Sequence, residues 1–289
     1  MATVTPLLTT QALAVGEFHC PPEDASWRET NVIGDRAHVV FPRRSVMIRQ
    51  LGREPVLATP NHAVLYNADQ AYRRELHSAH GDDSVFIELA EGSLERLAAE
   101  GAGAVDGRTR IRVTHVPTDR RTYLFQHLLV RHLRGRPADL LRAEELASRL
   151  ALTALATPVR GPRAARRHTA EAHRELAEAA KAELALDPAA TITLDGLAAR
   201  LHTSPFHLAR VFRAETGFTL AGYRHALRLR AALERLPLND GDLTSLALEL
   251  GFASHSHFTA SFSREFGVPP SAVRSARRAR ALLDAAQPG

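Results

Sequence analysis

The sequence predicts an α+β fold, in which a β-rich N-terminal domain and two following helices precede an all-α domain with two helix-turn-helix units. Short apolar runs separated by turn residues dominate the first hundred positions, which is typical of antiparallel strands. Helical periodicity replaces them from Asp119 onward. A signature at Ser204–Gly217 returns about 50 residues later as Ser254–Gly267, with Ser, His, Phe, Glu and Gly in register. We therefore expect domains at 1–156 and 169–284, joined by a linker at 157–168.

The length and composition are those of a globular chain. Its 289 residues can form two domains, each with a core of its own. No run of about 18 apolar residues and no secretory leader is present, so we expect no membrane partner and a cytoplasmic location. The one cysteine, Cys20, excludes an internal disulfide framework and a Cys-rich zinc site. Cys20 could be a redox sensor, although a lone cysteine is usually inert packing.

The net charge of +5 lies entirely in the C-terminal part of the chain. Residues 1–159 hold 19 basic and 19 acidic side chains, whereas residues 160–289 hold 18 basic and 13 acidic ones. A basic domain attracts DNA phosphates nonspecifically. Among the 37 cations only Lys181 is a lysine, and guanidinium groups suit bidentate contacts with guanine or phosphate.

Four short runs in the N-terminal region are rich in β-branched and aromatic residues. They are His38–Phe41, Ser45–Ile48, Ala63–Tyr66 and Ser84–Ile87, and Gly, Pro, Asn and Asp separate them. This spacing predicts an antiparallel sandwich or a small barrel. A helix near Leu94–Glu100 interrupts the series.

Two amphipathic helices follow the β-rich region. The first begins after Asp119, and the second carries a stripe made of Leu140, Leu141, Leu146, Leu150 and Leu155. Both helices could complete the core of the first domain, or they could form the seam of a homodimer through 119–156. The segment 157–168 holds two prolines, a glycine and four arginines, which is typical of an exposed linker.

Each copy of the signature has the caps and the apolar spacing of a helix-turn-helix unit. We expect helices at 169–186, 194–202, 205–216, 219–236, 243–250, 255–266 and 270–283. In the first unit, Thr193 and Ser204 are N-caps, Pro205 begins the second helix and Gly217 ends it. Leu197, Ala198, Leu201, Leu208, Val211 and Phe212 form its buried side. The outward face carries Phe206, His207, Ala209, Arg210 and Arg213.

The second unit repeats this pattern with different side chains. Four aromatic residues supply its core, namely Phe252, Phe258, Phe262 and Phe266. Its polar first turn consists of Ser254, His255, Ser256 and His257, in the position from which a recognition helix contacts base edges.

These two units and the helix between them resemble the AraC/XylS family of bacterial transcription regulators. The resemblance covers about residues 170–280 and keeps its spacing throughout. It is carried by Leu197-Ala198, Ser204-Pro205, Leu208, Arg210, Phe212, Gly217, Tyr223, Arg228-Leu229, Ala232, Leu246-Ala247, Gly251-Phe252, Ser254-His255-Ser256-His257-Phe258, Phe262, Phe266-Gly267 and Pro269-Pro270.

The resemblance implies a sequence-specific DNA-binding regulator. Its partners would be double-stranded DNA and RNA polymerase, and a cupin-like N-terminal domain would respond to a small-molecule effector without a cofactor. The helix at 219–236 would hold both units and would be about 27 Å long at 1.5 Å per residue. Since this is close to the roughly 34 Å turn of B-DNA, the two recognition helices would enter successive major grooves.

The resemblance also assigns roles by position. Base contacts would come from Phe206, Ala209, Arg210, His255, Ser256, His257 and Ala260, while Ser204, Arg224, Arg228 and Arg274 would contact phosphate or have structural roles. The chain departs from the family at Ala209 and Ala260, whose short side chains can give only methyl contacts, and at Val273, where an aromatic residue is usual. We therefore expect the first unit to contribute more of the readout.

Two other classes of function stay open at this point. A sequence-tolerant architectural protein would use the basic domain for phosphate contacts alone. A metal-dependent barrel enzyme would need metal ligands, but His62, His77 and His80 lack the His-x-His pattern of a cupin centre, so we expect neither a metal site nor enzymatic activity. Five arginines of the first domain could bind an acidic effector, namely Arg43-Arg44, Arg49 and Arg73-Arg74. Polar faces of strands give the same pattern, so the effector-binding residues stay unassigned.

Overall fold

A computed structural model describes residues 1–99, 105, 110–135, 139–157, 167–236, 242–275 and 281–284. The chain divides into two compact units. The first comprises Met1–Val159 with Phe266–Gly289, and the second comprises Arg160–Glu265. The predicted boundaries at 1–156 and 169–284 stay predictions, and most of the predicted linker lies outside the described residues. None of the helices that can be described is long and apolar enough to cross a membrane.

Two antiparallel sheets form the first unit, as the strand spacing predicts. The larger sheet has the order β1-β2-β9-β4-β7-β10, and the smaller has the order β3-β8-β5-β6. The strands are β1 Thr3–Thr9, β2 Leu13–Cys20, β3 Asn31–Val32, β4 Ala37–Pro42, β5 Val46–Gln50, β6 Val56–Ala58, β7 His62–Tyr66, β8 Ala71–Leu76, β9 Asp82–Leu89 and β10 His115–Pro117. The four predicted runs therefore lie in strands β4, β5, β7 and β9, except for Ser45, which precedes β5.

The two sheets pack through one shared apolar cluster. Its buried members come from both sheets: Ile33, Val46, Ile48, Val56, Ala58, Val64 and Tyr66. On β9, side chains alternate between two faces, so that Val85, Ile87 and Leu89 are buried on one face. Ser84, Phe86 and Glu88 point to the opposite face and line a cavity. Both faces of this central strand are thus covered.

Three helices complete the first part of the chain: α1 Glu91–Ala99, α2 Arg120–Arg134 and α3 Leu140–Ala156. The α3 side chains Leu146, Leu150 and Leu155 are buried within this single chain, whereas Leu140 and Leu141 are 60% and 79% exposed. The leucine stripe therefore completes the core along most of its length. A homodimer through 119–156 stays a prediction.

The helices of the remaining chain are α4 Arg167–Leu186, α5 Leu194–Arg200, α6 Pro205–Thr216, α7 Leu220–Arg235, α8 Leu243–Glu249, α9 His255–Phe266 and α10 Pro270–Arg274. Six of these match the predicted helices to within two residues. The predicted helix at 270–283 is helical at Pro270–Arg274 and again at 281–283, but it is not continuous, because Ser275 is extended, with φ −71° and ψ 118°. Arg131 donates to the carbonyl oxygens of Val273 and Arg274, which a continuing helix would need as acceptors.

Replacement of the α2 cap tests the stability of the first unit. The Asp119 carboxylate accepts a hydrogen bond of 2.7 Å from the Thr122 amide. We expect Asp119→Ala to lower the free energy of unfolding by about 0.5–2 kcal/mol. Urea denaturation followed by fluorescence of Trp27, the one tryptophan of the chain, reports on this unit. The control is Glu95→Ala on the exposed side of α1, which should change stability by less than about 0.5 kcal/mol. Equal losses would contradict the capping role.

Candidate nucleic-acid interface

The first helix-turn-helix unit is built by local hydrogen bonds that its sequence encodes. Thr193 Oγ1 accepts from the Gly196 amide at 3.0 Å, and Ser204 Oγ accepts from the His207 amide at 3.3 Å. Gly217 ends α6 in the left-handed region, with φ 80°. The predicted caps are confirmed, and each helix begins where its cap places it.

The buried side of this unit packs against α4 and α7. Leu197, Ala198, Leu208 and Phe212 share one cluster with Ala180, Leu184, Tyr223 and Leu227. Val211 is also buried, while Leu201 is half-buried against the same cluster. This packing fixes which face of α6 points outward.

Both helix-turn-helix turns close with the same pair of hydrogen bonds. In the first, the His202 amide donates to Ala199 and the Thr203 amide to Ala198. In the second, Gly251 donates to Leu248 and Phe252 to Ala247. The left-handed residue of this motif is His202, with φ 51°, in the first turn and Gly251, with φ 77°, in the second. The internal repeat therefore extends to the backbone geometry of the turns.

The outward face of α6 joins an exposed aromatic ring to two exposed cations. Phe206 is 89% exposed, and Arg210 and Arg213 are exposed one and two turns further along. Arg210 Nη2 lies 3.0 Å from His207 Nδ1. Neither arginine side chain has a carboxylate partner among the residues that can be described. Ala209 is half-buried between these groups.

The outward face of α9 is polar and carries no cation in its first turn. Ser254 Oγ accepts from the His257 amide at 3.1 Å, which confirms Ser254 as a cap. Exposed side chains at this end are Ser254, His255, Ser256, His257 and Ala260. Behind them, Phe252, Phe258 and Phe262 form a chain of edge-to-face rings with centroids 5.2 and 5.7 Å apart.

The Arg228 guanidinium ties α7 to segments on both sides of it. Its Nη1 donates to the Gly251 carbonyl at 3.1 Å, in the turn of the second unit. Its Nε and Nη2 donate to the Pro188 and Ala189 carbonyls at 2.5 and 3.0 Å, just before the first unit. Burial lowers the pKa of Arg228, although a guanidinium still carries its charge at neutral pH. The α7 helix spans 16 residues, or about 24 Å, slightly less than predicted.

Other contacts of α7 strengthen the same connection. Arg224 Nη1 donates to the Ala190 carbonyl at 3.1 Å. His225 packs edge-on against Phe252 with centroids 5.8 Å apart, and burial lowers the pKa of this imidazole. Arg235 forms an ion pair with Glu249 at the end of α8. These contacts support the structural alternative for Arg224 and Arg228, whereas Arg274 lies on α10 in the other unit.

Sequence reasoning missed three contributors to this arrangement, namely His202, His225 and the close approach at Gly251. A Cβ at Gly251 would lie 2.6 Å from the Ala189 carbonyl oxygen and 3.1 Å from the Arg228 guanidinium carbon. A glycine directly after the apolar run of α8 is the one local signal that could have indicated this turn.

Two of the three histidines considered as metal ligands, His62 and His77, have other side-chain partners. His77 Nδ1 lies 2.8 Å from Ser45 Oγ, and His62 contacts the His115 ring at a centroid distance of 5.3 Å. Within the described part of the chain, no group of three or more His, Cys, Asp or Glu side chains could hold a metal ion. Cys20 is fully buried.

Two left-handed glycines allow a matched test of the turn. Gly251 and Gly267 have φ values of 77° and 75°, but a Cβ at Gly267 meets nothing within 4 Å. We expect Gly267→Ala to lower the free energy of unfolding by about 1–2 kcal/mol, because only the strain of a left-handed alanine is added. Gly251→Ala adds a steric clash with the Ala189 carbonyl group and should lower the free energy of unfolding by clearly more. Differential scanning calorimetry of both variants measures the two losses, and equal values would contradict the close packing at Gly251.

Comparisons with known proteins match this region. A family model described as a helix-turn-helix domain matches residues 197–276. The transcriptional activator RhaS of Escherichia fergusonii is 35% identical over 91 residues, which cover 32% of this chain and 33% of RhaS. The chain thus spans about a third of the length of this relative.

Two further relatives extend the comparison. The probable transcription factor PqrA of Proteus vulgaris is 34% identical over 83 residues, which cover 29% of this chain and 68% of PqrA. A Chromobacterium violaceum regulator of known structure, with an AraC-type DNA-binding domain, aligns with 41% of this chain and 99% of its own, at 24% identity and a TM-score of 0.33. The match of the family model and the identity with PqrA over two thirds of its length show that the chain belongs to the AraC/XylS family of transcription regulators.

Proposed function

We propose that the chain is a sequence-specific DNA-binding transcription regulator whose helices α6 and α9 enter successive major grooves. The observation that carries this is the outward face of α6. The Arg210 guanidinium, which is exposed and has no carboxylate partner in the described part of the chain, lies near the exposed Phe206 ring, and the opposite face of the helix is packed into a core. Arginine contacts with guanine and apolar contacts with thymine methyl groups are the standard means of reading the major groove.

The first recognition helix supplies the stronger readout. Arg210 reads a guanine through its two-nitrogen fork, Phe206 meets a thymine methyl or a sugar, and Ala209 gives a methyl contact at most. His207 orients Arg210 through their 3.0 Å hydrogen bond, in which the imidazole accepts. Arg213 lies further from the start of the helix, where it can reach a phosphate.

The second recognition helix supplies weaker, neutral contacts. His255, Ser256 and His257 offer hydrogen bonds to base edges or phosphates, and Ala260 offers a methyl group. Ser204 and Ser254 hold the helix starts, whose amides favour phosphate. Arg224 and Arg228 act through the scaffold, and Arg274 contacts phosphate or stabilises the end of the domain.

The remaining parts of the proposal concern partners. The β-rich unit responds to a small molecule. Two copies of the chain form a homodimer through 119–156, with Leu140 and Leu141 in the interface. The regulator acts on transcription through RNA polymerase. The regulator works where its DNA is, in the cytoplasm, and it has no enzymatic activity of its own. The similar proteins RhaS and PqrA are named as a transcriptional activator and a probable transcription factor, which supports this proposal.

Arg210→Ala tests the reading role of α6. Selection from random DNA first defines the preferred duplex, and fluorescence anisotropy then gives affinities for that duplex and for random DNA. We expect the variant to lose about 1–3 kcal/mol on the preferred duplex, because a bidentate base contact is removed. Random DNA should lose much less. Arg200→Ala on α5, which removes an exposed arginine that is paired with Glu183 of α4, is the control for charge.

An equal loss of Arg210→Ala on both duplexes would contradict base reading and would instead favour sequence-tolerant, architectural binding. Salt titration separates the two cases further, since an architectural protein shows little preference at any salt concentration.

The two halves should contribute unequally. We expect His255→Ala and Ser256→Ala each to cost about 0.5–1.5 kcal/mol on the preferred duplex, as neutral hydrogen bonds do, and hence less than Arg210→Ala. The same anisotropy assay measures these losses. A larger loss from either α9 variant than from Arg210→Ala would show that the second helix dominates recognition.

A further inference from the structure

A cavity of about 170 Å³ lies between the two sheets of the first unit. Its walls are largely apolar and come from both sheets: Val40, Val46, Ile48, Ala58, Val64 and Phe86. This cavity takes no part in the DNA-binding surface described above.

One glycine shapes the wall of the cavity. Gly16 and Phe86 are paired across β2 and β9. A Cβ at Gly16 would lie 2.4 Å from Phe86 Cζ, so the phenyl ring can lie flat across β2 only because that position is glycine. The ring thereby forms a smooth aromatic surface on the larger sheet.

A polar cluster occupies one part of the lining, with Arg74 at its centre. The Arg74 guanidinium carbon lies 4.8 and 4.9 Å from the Phe18 and Trp27 ring centroids. Its Nη1 donates to Asp82 at 3.0 Å and its Nη2 to Ser26 at 3.0 Å. The side chain is 97% or more buried, and its Nε has no acceptor among the described residues.

Two tyrosines of the lining, the buried Tyr66 and the half-buried Tyr72, also lack partners for their hydroxyl groups among the described residues. The Tyr66 and Tyr72 rings lie 5.0 Å apart, and neither hydroxyl makes a hydrogen bond within the described residues. Burial raises the pKa of both phenols, which keeps them as donors at neutral pH. A hydroxyl group of the lining that has no protein partner can donate a hydrogen bond to an oxygen atom on a ligand.

The charges of the lining do not favour an anion. Arg74 is paired with Asp82, and His38 Nε2 lies 3.3 Å from Glu88. Each basic side chain that lines the cavity therefore already faces a carboxylate of the same lining. An anionic ligand would meet two carboxylates and no unpaired cation among the described lining residues.

The volume of the cavity limits the size of the ligand to about one six-membered ring. An apolar protein cavity of about 150 Å³ accepts benzene, whereas sites for drug-sized ligands begin at about 300 Å³. A cavity of 170 Å³ therefore matches a single ring with one small substituent.

We propose that this cavity binds an uncharged monocyclic aromatic compound that carries one hydrogen-bonding oxygen, with the oxygen at the Tyr66 and Tyr72 hydroxyls and the ring against Phe86. This compound is the effector class of the regulator, a consequence that rests on the proposed function. Binding itself follows from the cavity alone.

Isothermal titration calorimetry of the full chain without DNA tests the binding step. The probes are phenol, toluene and benzoate, which share one ring but differ in oxygen and charge. We expect phenol to bind more tightly than toluene, and benzoate least. Benzoate binding as tightly as phenol, or toluene as tightly as phenol, would overturn the proposal.

Tyrosine variants locate the oxygen. Tyr66→Phe and Tyr72→Phe should each weaken phenol binding about five- to tenfold, the value of one neutral hydrogen bond, and leave toluene binding nearly unchanged. The matched control is Tyr123→Phe on α2, a buried tyrosine that does not line the cavity. Unchanged phenol affinity in the double variant Tyr66→Phe/Tyr72→Phe would overturn the assignment of the oxygen.

A filling variant locates the ring. Val40→Phe places a second ring in the cavity and should abolish binding of phenol and of toluene, while an unchanged near-UV circular dichroism spectrum shows that the first unit, which contains Val40, is folded. Retained phenol binding in this variant would place the ligand elsewhere and overturn the proposal. None of these measurements needs DNA, so the two proposals can fail independently.

Discussion

The Arg228 guanidinium is the interaction on which the DNA-binding arrangement depends. One side chain donates to carbonyl groups just before the first helix-turn-helix unit and to the Gly251 carbonyl in the second. Hydrogen bonds from charged donors contribute about 1.5–3 kcal/mol each. Because a single rigid helix carries this arginine, the positions of α6 and α9 are fixed relative to α7, and the distance between two reading faces becomes a property of the fold.

Much of this unit could be predicted because its signals are local. Ser204 and Ser254 cap the helices they precede, Gly217 ends its helix, and the apolar spacing of Leu208, Val211 and Phe212 marks the buried face. The contacts of Arg228 span 23 to 40 residues of sequence, and no local pattern reports them. The break at Ser275 in the helix predicted at 270–283 was missed for the same reason, because Arg131 bonds carbonyl groups that lie 142 or more residues away in the sequence.

The first unit shows the same division between local and non-local information. Alternation predicts the strands β4, β5, β7 and β9, but it does not tell which strands pair or which face encloses a cavity. Arg74 and Asp82 meet across eight residues, and Tyr66 and Tyr72 meet between two sheets. Arg74, which the sequence alone could equally place on a polar strand face, therefore forms a buried ion pair with Asp82 in the wall of a largely apolar cavity.

Distances between spin labels on the two recognition helices test most directly whether Arg228 fixes their arrangement. Cysteines for labelling would replace the exposed Arg213 and Ala260, with the buried Cys20 changed to alanine. Electron paramagnetic resonance should give one narrow distance distribution for the parent chain and for the Arg200→Met control. Arg228→Met should broaden it, because the carbonyls at 188, 189 and 251 lose their common donor. An equally narrow distribution in Arg228→Met would contradict the role given to this arginine.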